Sequence, residues 1–372
     1  MDFGLSEDQR LLEETLRTFL AEQVPIERVR RLRDEACPND RSIWQALAEL
    51  GATGILVPEA QGGSDLGLLD AIVVSQAIGN AVTPAPFLSS AIIAPLALSA
   101  LQSPQTEAWL AGIASGELVV GVGLTELFSI REQAGIRLEA GALHGKAMMV
   151  LDACTADLIL LPVGPDTLSV VARDAAGVAT TRLLTSDRTR CTAEVVLEAV
   201  RPLALIENLS APIARALDAG RIALAAEAFG ACESMIEQAV RYAGQRKQFD
   251  RVIGSFQAVK HLCAEMIAEL EPTRSLLWYA AHAFDAAPEE APMLAAQLLA
   301  HVSEIGREIA SISTQVHGGI GWTDEQNLHL WYKRIAGARH LLGGPEFLRE
   351  TAARLQSFVP APTPAPVPVP AS

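Results

Sequence analysis

Two cationic side chains, Arg246 and Lys247, stand beside Gln248 and Phe249 in the segment RYAGQRKQFDRVIGSFQAVKH, residues 241–261. Arginine presents fork-shaped donors and a fixed charge, so a pair of this kind can hold a phosphate or a pyrophosphate. A solvated surface turn is the more common explanation for charged residues at a loop tip. The pair by itself therefore leaves an anion site and a plain turn as open alternatives.

The segments on either side have to carry this pair to the surface. Residues 217–242 are rich in Ala and Leu, contain no Pro, and carry apolar side chains at helical spacing. Gly254 breaks that pattern, and Ser255 can serve as the N-cap of a second helix. The sequence therefore predicts a helical hairpin with Arg246 and Lys247 at its tip.

Composition restricts the class of protein. The chain has 372 residues, half of them hydrophobic, which is enough for two or three domains with a large core. A net charge of -15 argues against a nucleic-acid-binding surface. No apolar run reaches membrane-spanning length, and MDFGLSEDQR lacks the apolar core of a secretory signal, so we expect a cytoplasmic protein. Five scattered cysteines without CxxC spacing predict reduced thiols and no metal site.

The pattern of apolar residues and the Pro content divide the chain into three parts and a tail. We predict an N-terminal helical domain over residues 1–117, a middle β-domain over 118–205 and a C-terminal helical domain over 206–358. Strand-like pieces in the middle part are residues 119–122, 143–153, 156–164, 168–173 and 190–200. The last segment, VPAPTPAPVPVPAS at 359–372, is Pro/Ala-rich and is predicted to be an extended, disordered tail.

Three motifs resemble the acyl-CoA dehydrogenase family in their order and spacing: RKQF, GSFQAVKH, and QVHGGIGWTDE at residues 315–325. The resemblance covers nearly the whole chain except the tail. It implies an α+β protein with the acyl-CoA dehydrogenase fold, made of an N-terminal helical domain, a middle β-barrel-like domain and a C-terminal four-helix bundle. It also implies FAD as the cofactor and α,β-dehydrogenation of an acyl-CoA thioester as the reaction.

The resemblance assigns a set of cofactor-binding positions. In homotetrameric family members, the matching residues reach across a dimer interface and hold the adenosine diphosphate half of the FAD bound in the neighbour. Two glycines in HGGIG would let the backbone come close to the cofactor, although a helix-ending turn also explains them. The positions predicted to bind FAD are Arg246, Gln248, Phe249, Gln257, Gln315, Gly318 and Gly319.

Both positions from which family members present the catalytic carboxylate lack one here. When YKRIAGARHLLGGPEFLR is laid against a YEGT-like pattern, Leu342 occupies the Glu position. When LDAGRI is laid against an LDLERL-like pattern, Gly220 occupies it. Neither residue can accept a proton. Glu227 and Glu346 are the substitute candidates, although a buried ion pair explains Glu227 and a first-turn helix position explains Glu346.

The middle domain departs from the family pattern as well. Only the start of a TEPxAGSD-like pattern remains, as Thr125 and Glu126. In the strand that resembles KxWIT, Lys146 is kept, whereas Met148 and Val150 replace the Trp and the Thr that lie against the flavin ring in the family. The residues with which family members contact their own flavin are therefore replaced in this sequence, whereas the residues with which they contact a neighbour's FAD are kept.

This division resembles the base-lacking subunits of heteromeric, α2β2 acyl-CoA dehydrogenases of bacterial steroid breakdown. It implies a second, base-bearing dehydrogenase subunit as partner and an electron-transfer flavoprotein as electron acceptor. Asp218 and Arg221 match a family DxxR stretch near the acyl-CoA substrate, although an i,i+3 ion pair explains them equally well. Two alternatives stay open: a self-sufficient homo-oligomer using Glu227 or Glu346, and a non-catalytic scaffold.

Overall fold

The computed structural model describes residues 4–101, 103–128 and 134–359. Its first part is helical, and α1 begins with the capping box that S-E-D-Q predicts: the Ser6 hydroxyl accepts from the Gln9 N–H, and the Gln9 side chain accepts from the Ser6 N–H. The helices are α1 Glu7–Gln23, α2 Ile26–Arg33, α3 Arg41–Glu49, α4 Leu68–Asn80, a π-helix Leu88–Ile93, α5 Ala94–Leu98 and α6 Pro104–Ala114.

A mixed sheet follows. Its strands are β1 Val120–Val122, β2 Gly135–Glu139, β3 Ala142–Leu151, β4 Leu158–Pro162, β5 Leu168–Ala172, β6 Val178–Arg182, β7 Thr192–Val200 and β8 Ala204–Ile206. They run in the order β6-β7-β3-β1-β4-β5-β8, with β2 on β3, and only β1 and β4 pair in parallel. The pattern of apolar residues locates β1, β3, β4, β5 and β7 but misses β2, β6 and β8. Strands β2 and β6 mix apolar with polar residues, and β8 has only three residues.

The C-terminal part is helical again, and α7 is its central element. The helices are α7 Ser210–Gln245, α8 Gln257–Ala286, α9 Ala291–His317, α10 Leu328–Ala338 and α11 Pro345–Leu355. Helix α7 crosses α4 so closely that a Cβ at Gly79 would lie 1.8 Å from the Glu227 carbonyl oxygen, and one at Gly230 would lie 2.0 Å from that of Gln76. Glycine is therefore required on both sides of this crossing. Among the described residues no helix has the length and apolar character needed to cross a membrane.

The connection between α7 and α8 contains a short two-stranded sheet. Strands β9 Lys247–Gln248 and β10 Arg251–Val252 form a short antiparallel hairpin. Its two turn residues, Phe249 and Asp250, have φ values of 54° and 65°, as a type I′ turn requires. They occupy the tip of this β-hairpin, and Arg246 and Lys247 lie at its base, in the connection between α7 and α8 where the predicted helical hairpin has them.

The N-cap prediction for Ser255 is wrong. Helix α8 begins at Gln257, and Phe256 precedes it without a side-chain cap. A 3₁₀ turn over Ile253–Ser255 separates the hairpin from α8, and the Ser255 hydroxyl donates to the Val252 carbonyl oxygen at 2.7 Å. The hydroxyl therefore closes that turn and leaves the first N–H groups of α8 uncapped by Ser255.

Two sequence predictions concern segments that the structure describes only partly. The predicted tail, 359–372, lies outside the described residues apart from its first position. The part of the middle domain where the Gly-Ser-Asp end of the family pattern would fall includes residues 129–133, which also lie outside them. The proposed domain boundaries stay predictions.

Candidate functional site

An open cleft of about 490 Å³ lies between the end of α7 and the end of α9. The hairpin after α7 and the turn after α9 supply most of its wall, although they are far apart in the chain. Four of the predicted cofactor-binding residues share this lining: Arg246, Gln248, Gly318 and Gly319. The full lining is Tyr242, Arg246, Gln248, Ile253, Val316, His317, Gly318, Gly319 and Ile320.

The turn after α9 leaves its backbone open to the cleft. Gly318 ends the helix with φ 68° and ψ -147°, a backbone conformation that favours glycine. A Cβ at Gly318 or at Gly319 would meet no other atom within 4 Å. The missing side chains therefore do not serve tight packing within this chain; they keep backbone groups accessible to whatever fills the cleft.

His317 adds a polar atom that sequence reasoning missed. The residue is buried, its ring stacks on Tyr242 with centroids 4.6 Å apart, and its Nδ1 lies 2.8 Å from the Ser313 carbonyl oxygen. That contact makes Nδ1 the donor and leaves Nε2 an acceptor, which has no hydrogen-bond partner among the described residues. Burial lowers the pKa of His317 despite the contact with Ser313, which favours this neutral form. An orphaned acceptor at a cleft is a place for a ligand donor.

The other three predicted cofactor residues lie outside this lining. Phe249 is 86% exposed at the tip of the hairpin. Gln257 occupies the first turn of α8, where its amide lies 3.0 Å from His261 Nε2. Gln315 is exposed in the last turn of α9. Their assignment to FAD stays a prediction.

The chemistry of the cleft fits the adenosine diphosphate half of FAD. Arg246 supplies an exposed guanidinium for a pyrophosphate, and Gln248 supplies an amide that can both donate and accept. Gly318 and Gly319 leave room for close approach of a ligand, and His317 Nε2 is an acceptor without a hydrogen-bond partner among the described residues. The cleft is open to solvent, so a ligand held there would also be reachable by a second subunit.

Gly220 and Leu342, the two positions predicted to lack the catalytic carboxylate, lie close together. A Cβ on Gly220 would lie 2.9 Å from both Cγ1 and Cδ1 of Ile93 and 3.2 Å from Leu342 Cδ1. Leu342 is buried with φ 53°. The two positions predicted from the family resemblance to hold the carboxylate thus lie close together, among hydrocarbon side chains.

A buried ion pair supports the same loop. Arg221 Nη1 lies 3.1 Å from Asp218 Oδ1, and Arg221 Nε donates to the Leu342 carbonyl oxygen at 3.1 Å. Burial raises the pKa of Asp218 and lowers that of Arg221, and in each case the partner charge opposes the effect of burial. The i,i+3 pair considered from the sequence is therefore present. Contact of Asp218 and Arg221 with acyl-CoA stays a prediction.

Glu227 is committed to a second buried cluster. Its Oε1 accepts from Arg190 Nη2 at 2.6 Å and from Arg334 Nη1. Arg334 Nε also lies 3.0 Å from Asp187 Oδ2, so the cluster joins α7, α10 and the segment before β7. Burial would raise the pKa of Glu227, but the two guanidinium groups outweigh it and the net shift is downward. A carboxylate held in this way binds neighbouring elements together and is poorly suited to collect a proton.

The other substitute acid, Glu346, lies on the surface in the first turn of α11. Its Oε1 is 3.3 Å from Arg339 Nη2. This is the position that a favourable interaction with the helix dipole explains.

On the β-domain side, the retained Glu126 has a structural contact. Its Oε1 accepts a hydrogen bond from the Met148 N–H at 3.0 Å and so ties the segment after β1 to β3. Lys146 forms an ion pair of 3.2 Å with Glu194 on the neighbouring strand β7. The positions that resemble the family motif are thus engaged within the sheet. Among the described residues, no group of three or more His, Cys, Asp or Glu side chains is placed to hold a metal ion.

The chain combines a helical part, a mixed sheet and a second helical part, with an open cleft beside the ends of α7 and α9. Residues 6–117 match the family model described as acyl-CoA dehydrogenase, N-terminal domain, and residues 211–356 match that of the C-terminal domain. The chain belongs to the acyl-CoA dehydrogenase family, and the predicted family and fold are confirmed.

One similar protein and two similar solved structures show where in this family the chain finds its likeness. The acyl-CoA dehydrogenase IpdE2 of Mycobacterium tuberculosis is 32% identical over 354 residues, which span 95% of this chain and 98% of that protein. The ChsE4-ChsE5 complex from Mycobacterium tuberculosis contains a chain that superimposes with a TM-score of 0.87 at 25% identity, covering 97% of this chain and 100% of that one. A variant of the Tcur3481-Tcur3483 steroid ACAD gives a TM-score of 0.85 at 26% identity, covering 95% and 98%.

Proposed function

We propose that this chain is the non-base-bearing subunit of a cytoplasmic, heteromeric, FAD-dependent acyl-CoA dehydrogenase. A second, homologous subunit supplies the carboxylate that removes the α-proton of the acyl-CoA. The contact between Gly220 and Leu342 carries the proposal, because it fills with hydrocarbon the place where family members put that carboxylate. Glu227 and Glu346 do not repair the loss, since one is held by two arginines and the other lies at the surface.

In this scheme the chain's own contribution is to bind and to orient. FAD, when bound, supplies the acceptor for the β-hydride. Arg246 neutralises the pyrophosphate, Gln248 offers its amide, and the backbone at Gly318 and Gly319 lies against the ligand. Because the cleft is open on one side, we propose that the partner subunit closes it and that one FAD is shared between the two chains.

The names of two similar solved structures support a heteromeric assembly and a steroid-type substrate. Both similar solved structures carry two subunit names, ChsE4-ChsE5 and Tcur3481-Tcur3483, and one is described as a steroid ACAD. We therefore propose a bulky, ring-bearing acyl-CoA as substrate, and from the family resemblance we propose an electron-transfer flavoprotein as the acceptor of the electrons.

Co-expression with a base-bearing dehydrogenase subunit tests the proposal. We expect a yellow complex that oxidises a steroid-type acyl-CoA, whereas this chain alone does not. Changing the base Glu of the partner to Gln should lower turnover by about two to four orders of magnitude, the usual loss for a general base. Glu346→Gln in this chain is the matched control, because Glu346 lies close in sequence to the predicted base position Leu342. This change should leave turnover within about twofold.

Two results would contradict the proposal in different ways. Turnover by the isolated yellow chain that disappears on Glu227→Gln or Glu346→Gln would establish a self-sufficient enzyme. A chain that stays colourless alone and with every candidate partner would establish a scaffold without flavin.

A further inference from the structure

Two adjoining cavities lie outside the cleft described above. The larger has a volume of about 320 Å³ and lies between the 3₁₀ turn Gly318–Trp322 after α9 and the start of α10. The smaller, of about 170 Å³, lies between α10, the end of α2 and the loop that joins β6 to β7. Asp324 and Lys333 line both cavities, so the two are neighbours, and neither shares a lining residue with the cleft at Arg246.

The larger cavity has aromatic walls. Trp322 and Tyr332 line it, with ring centroids 6.5 Å apart and ring planes at 48° to each other. The two rings are therefore not stacked face to face, and Trp322 is 75% exposed. An indole face that neighbouring side chains leave uncovered is a stacking surface for a planar ring such as a nucleobase.

The smaller cavity is lined by cationic side chains that are available to an anion. Lys333 belongs to no ion pair among the described residues. Arg188 has one ion pair, a contact of 3.3 Å with Asp34 in which both side chains are about half exposed. Water screens a pair of this kind, so Arg188 can exchange Asp34 for a phosphate, whose geometry suits the guanidinium group.

The two acids in the lining, Asp187 and Asp324, already have cationic partners. Asp324 forms ion pairs of 2.8 Å with each of two arginines on α2. Asp187 Oδ2 lies 3.0 Å from Nε of the buried Arg334. Because these carboxylates are neutralised by other groups, Arg188 and Lys333 present a local excess of positive charge, in a chain whose net charge is -15.

We propose that the two cavities together bind a nucleoside phosphate, with its base against Trp322 and its phosphate groups against Lys333 and Arg188. Lys333 lines both cavities and so lies where the sugar-phosphate link of such a ligand has to pass. Inorganic phosphate has no ring for the larger cavity, and adenosine has no charge for the smaller one. The combined volume suits a small-molecule site, which typically takes about 300–1,000 Å³. All the residues of this site belong to one chain, so it does not depend on the proposed partner subunit.

Titration of the purified full chain with ADP tests the site, followed by tryptophan fluorescence and by isothermal titration calorimetry. We expect saturable quenching, because the base stacks on Trp322, and Trp322→Phe should remove that signal while the heat of binding remains. Lys333→Gln should weaken ADP binding about 10- to 150-fold, the usual effect of losing a hydrogen bond to a charged group. If that variant does not fold, Arg188→Gln removes the other phosphate partner from a surface loop and should weaken binding over the same range.

Controls separate this site from the cleft, which also fits an adenosine diphosphate group. Arg246→Ala should leave the quenching by ADP unchanged, and so should Lys260→Gln, which alters an exposed lysine that lines neither cavity. Adenosine and inorganic phosphate, used separately, should each bind at least about tenfold more weakly than ADP. Loss of ADP binding in Arg246→Ala, unchanged binding in both Lys333→Gln and Arg188→Gln, or no binding of ADP at all would overturn the proposal.

Discussion

Replacing Glu227 with Gln separates a structural acid from a catalytic one. The change keeps the shape of the side chain and removes the charge that Arg190 and Arg334 share. Both guanidinium groups are buried, so they cannot turn to water for compensation. Asp187 remains, 3.0 Å from Arg334 Nε and 4.0 Å from Arg190 Nε, and it compensates Arg334 better than Arg190.

The size of the effect follows from that geometry. Removing one partner of a buried ion pair costs about 3–5 kcal/mol, and the remaining Asp187 places Glu227→Gln near the lower end, about 3 kcal/mol. At about 2.1 cal/mol/K per residue, the unfolding entropy of 372 residues is about 0.8 kcal/mol/K. The melting temperature should therefore fall by about 4 °C. Differential scanning calorimetry at pH 7 measures it.

Glu304 is the control, because it lies within 4.0 Å of three arginines, against two for Glu227, but is only half-buried. Water screens such pairs, so Glu304→Gln should cost at most about 1 kcal/mol and shift the melting temperature by about 1 °C. Equal losses for the two variants would show that burial is not the reason for the stability of the Glu227 cluster.

The pH dependence has a definite sign. Because the pKa of Glu227 is lowered in the folded chain, its contribution is fully present above the ordinary carboxyl pKa of about 4.3 and is lost as pH falls through the lowered value. The difference in melting temperature between wild type and Glu227→Gln should be constant near pH 7 and shrink below about pH 4. An unchanged melting temperature together with a thousandfold loss of turnover in the assembled enzyme would refute this reasoning and make Glu227 the base.

Three further outcomes follow from the structure. Gly220→Ala should lower the free energy of unfolding by about 1–3 kcal/mol in thermal unfolding, because the new Cβ would lie 2.9 Å from Ile93. Gly244→Ala on the same helix has open space and should raise the free energy of unfolding by about 0.5–1 kcal/mol. Equal effects of the two changes would contradict the packing argument. Arg246→Ala should weaken FAD binding by the assembled enzyme about 10- to 150-fold in equilibrium titration. Arg251→Ala, on the opposite strand of the hairpin, should leave FAD binding unchanged. Full flavin retention in both variants would show that Arg246 does not bind FAD. Deleting residues 360–372 should leave melting temperature and activity unchanged, because this Pro/Ala-rich sequence has no periodic apolar face; a drop of several degrees would show that it packs.

Features that depend on neighbours along the chain are readable from the sequence. The capping box before α1 and the five strands with clear apolar runs follow local patterns that operate within a few residues. The motifs RKQF, GSFQAVKH and QVHGGIGWTDE suffice to predict the family. Local pattern fails at Ser255, where the predicted cap became part of a turn, because the tight hairpin before it changes where α8 can begin.

Features that depend on packing between distant segments required the fold. No pattern in LDAGRI or ARHLLGGP indicates that Gly220 and Leu342 touch, or that Arg221 donates to the Leu342 carbonyl oxygen. The sequence left Glu227 with an unnamed cation, and the structure supplies Arg190 and Arg334 from other elements. These contacts arise only when α7 packs against the helices and strands around it. Side-chain identity sets which charges and volumes are available, whereas the distances that give them partners, pKa shifts and function depend on the tertiary arrangement.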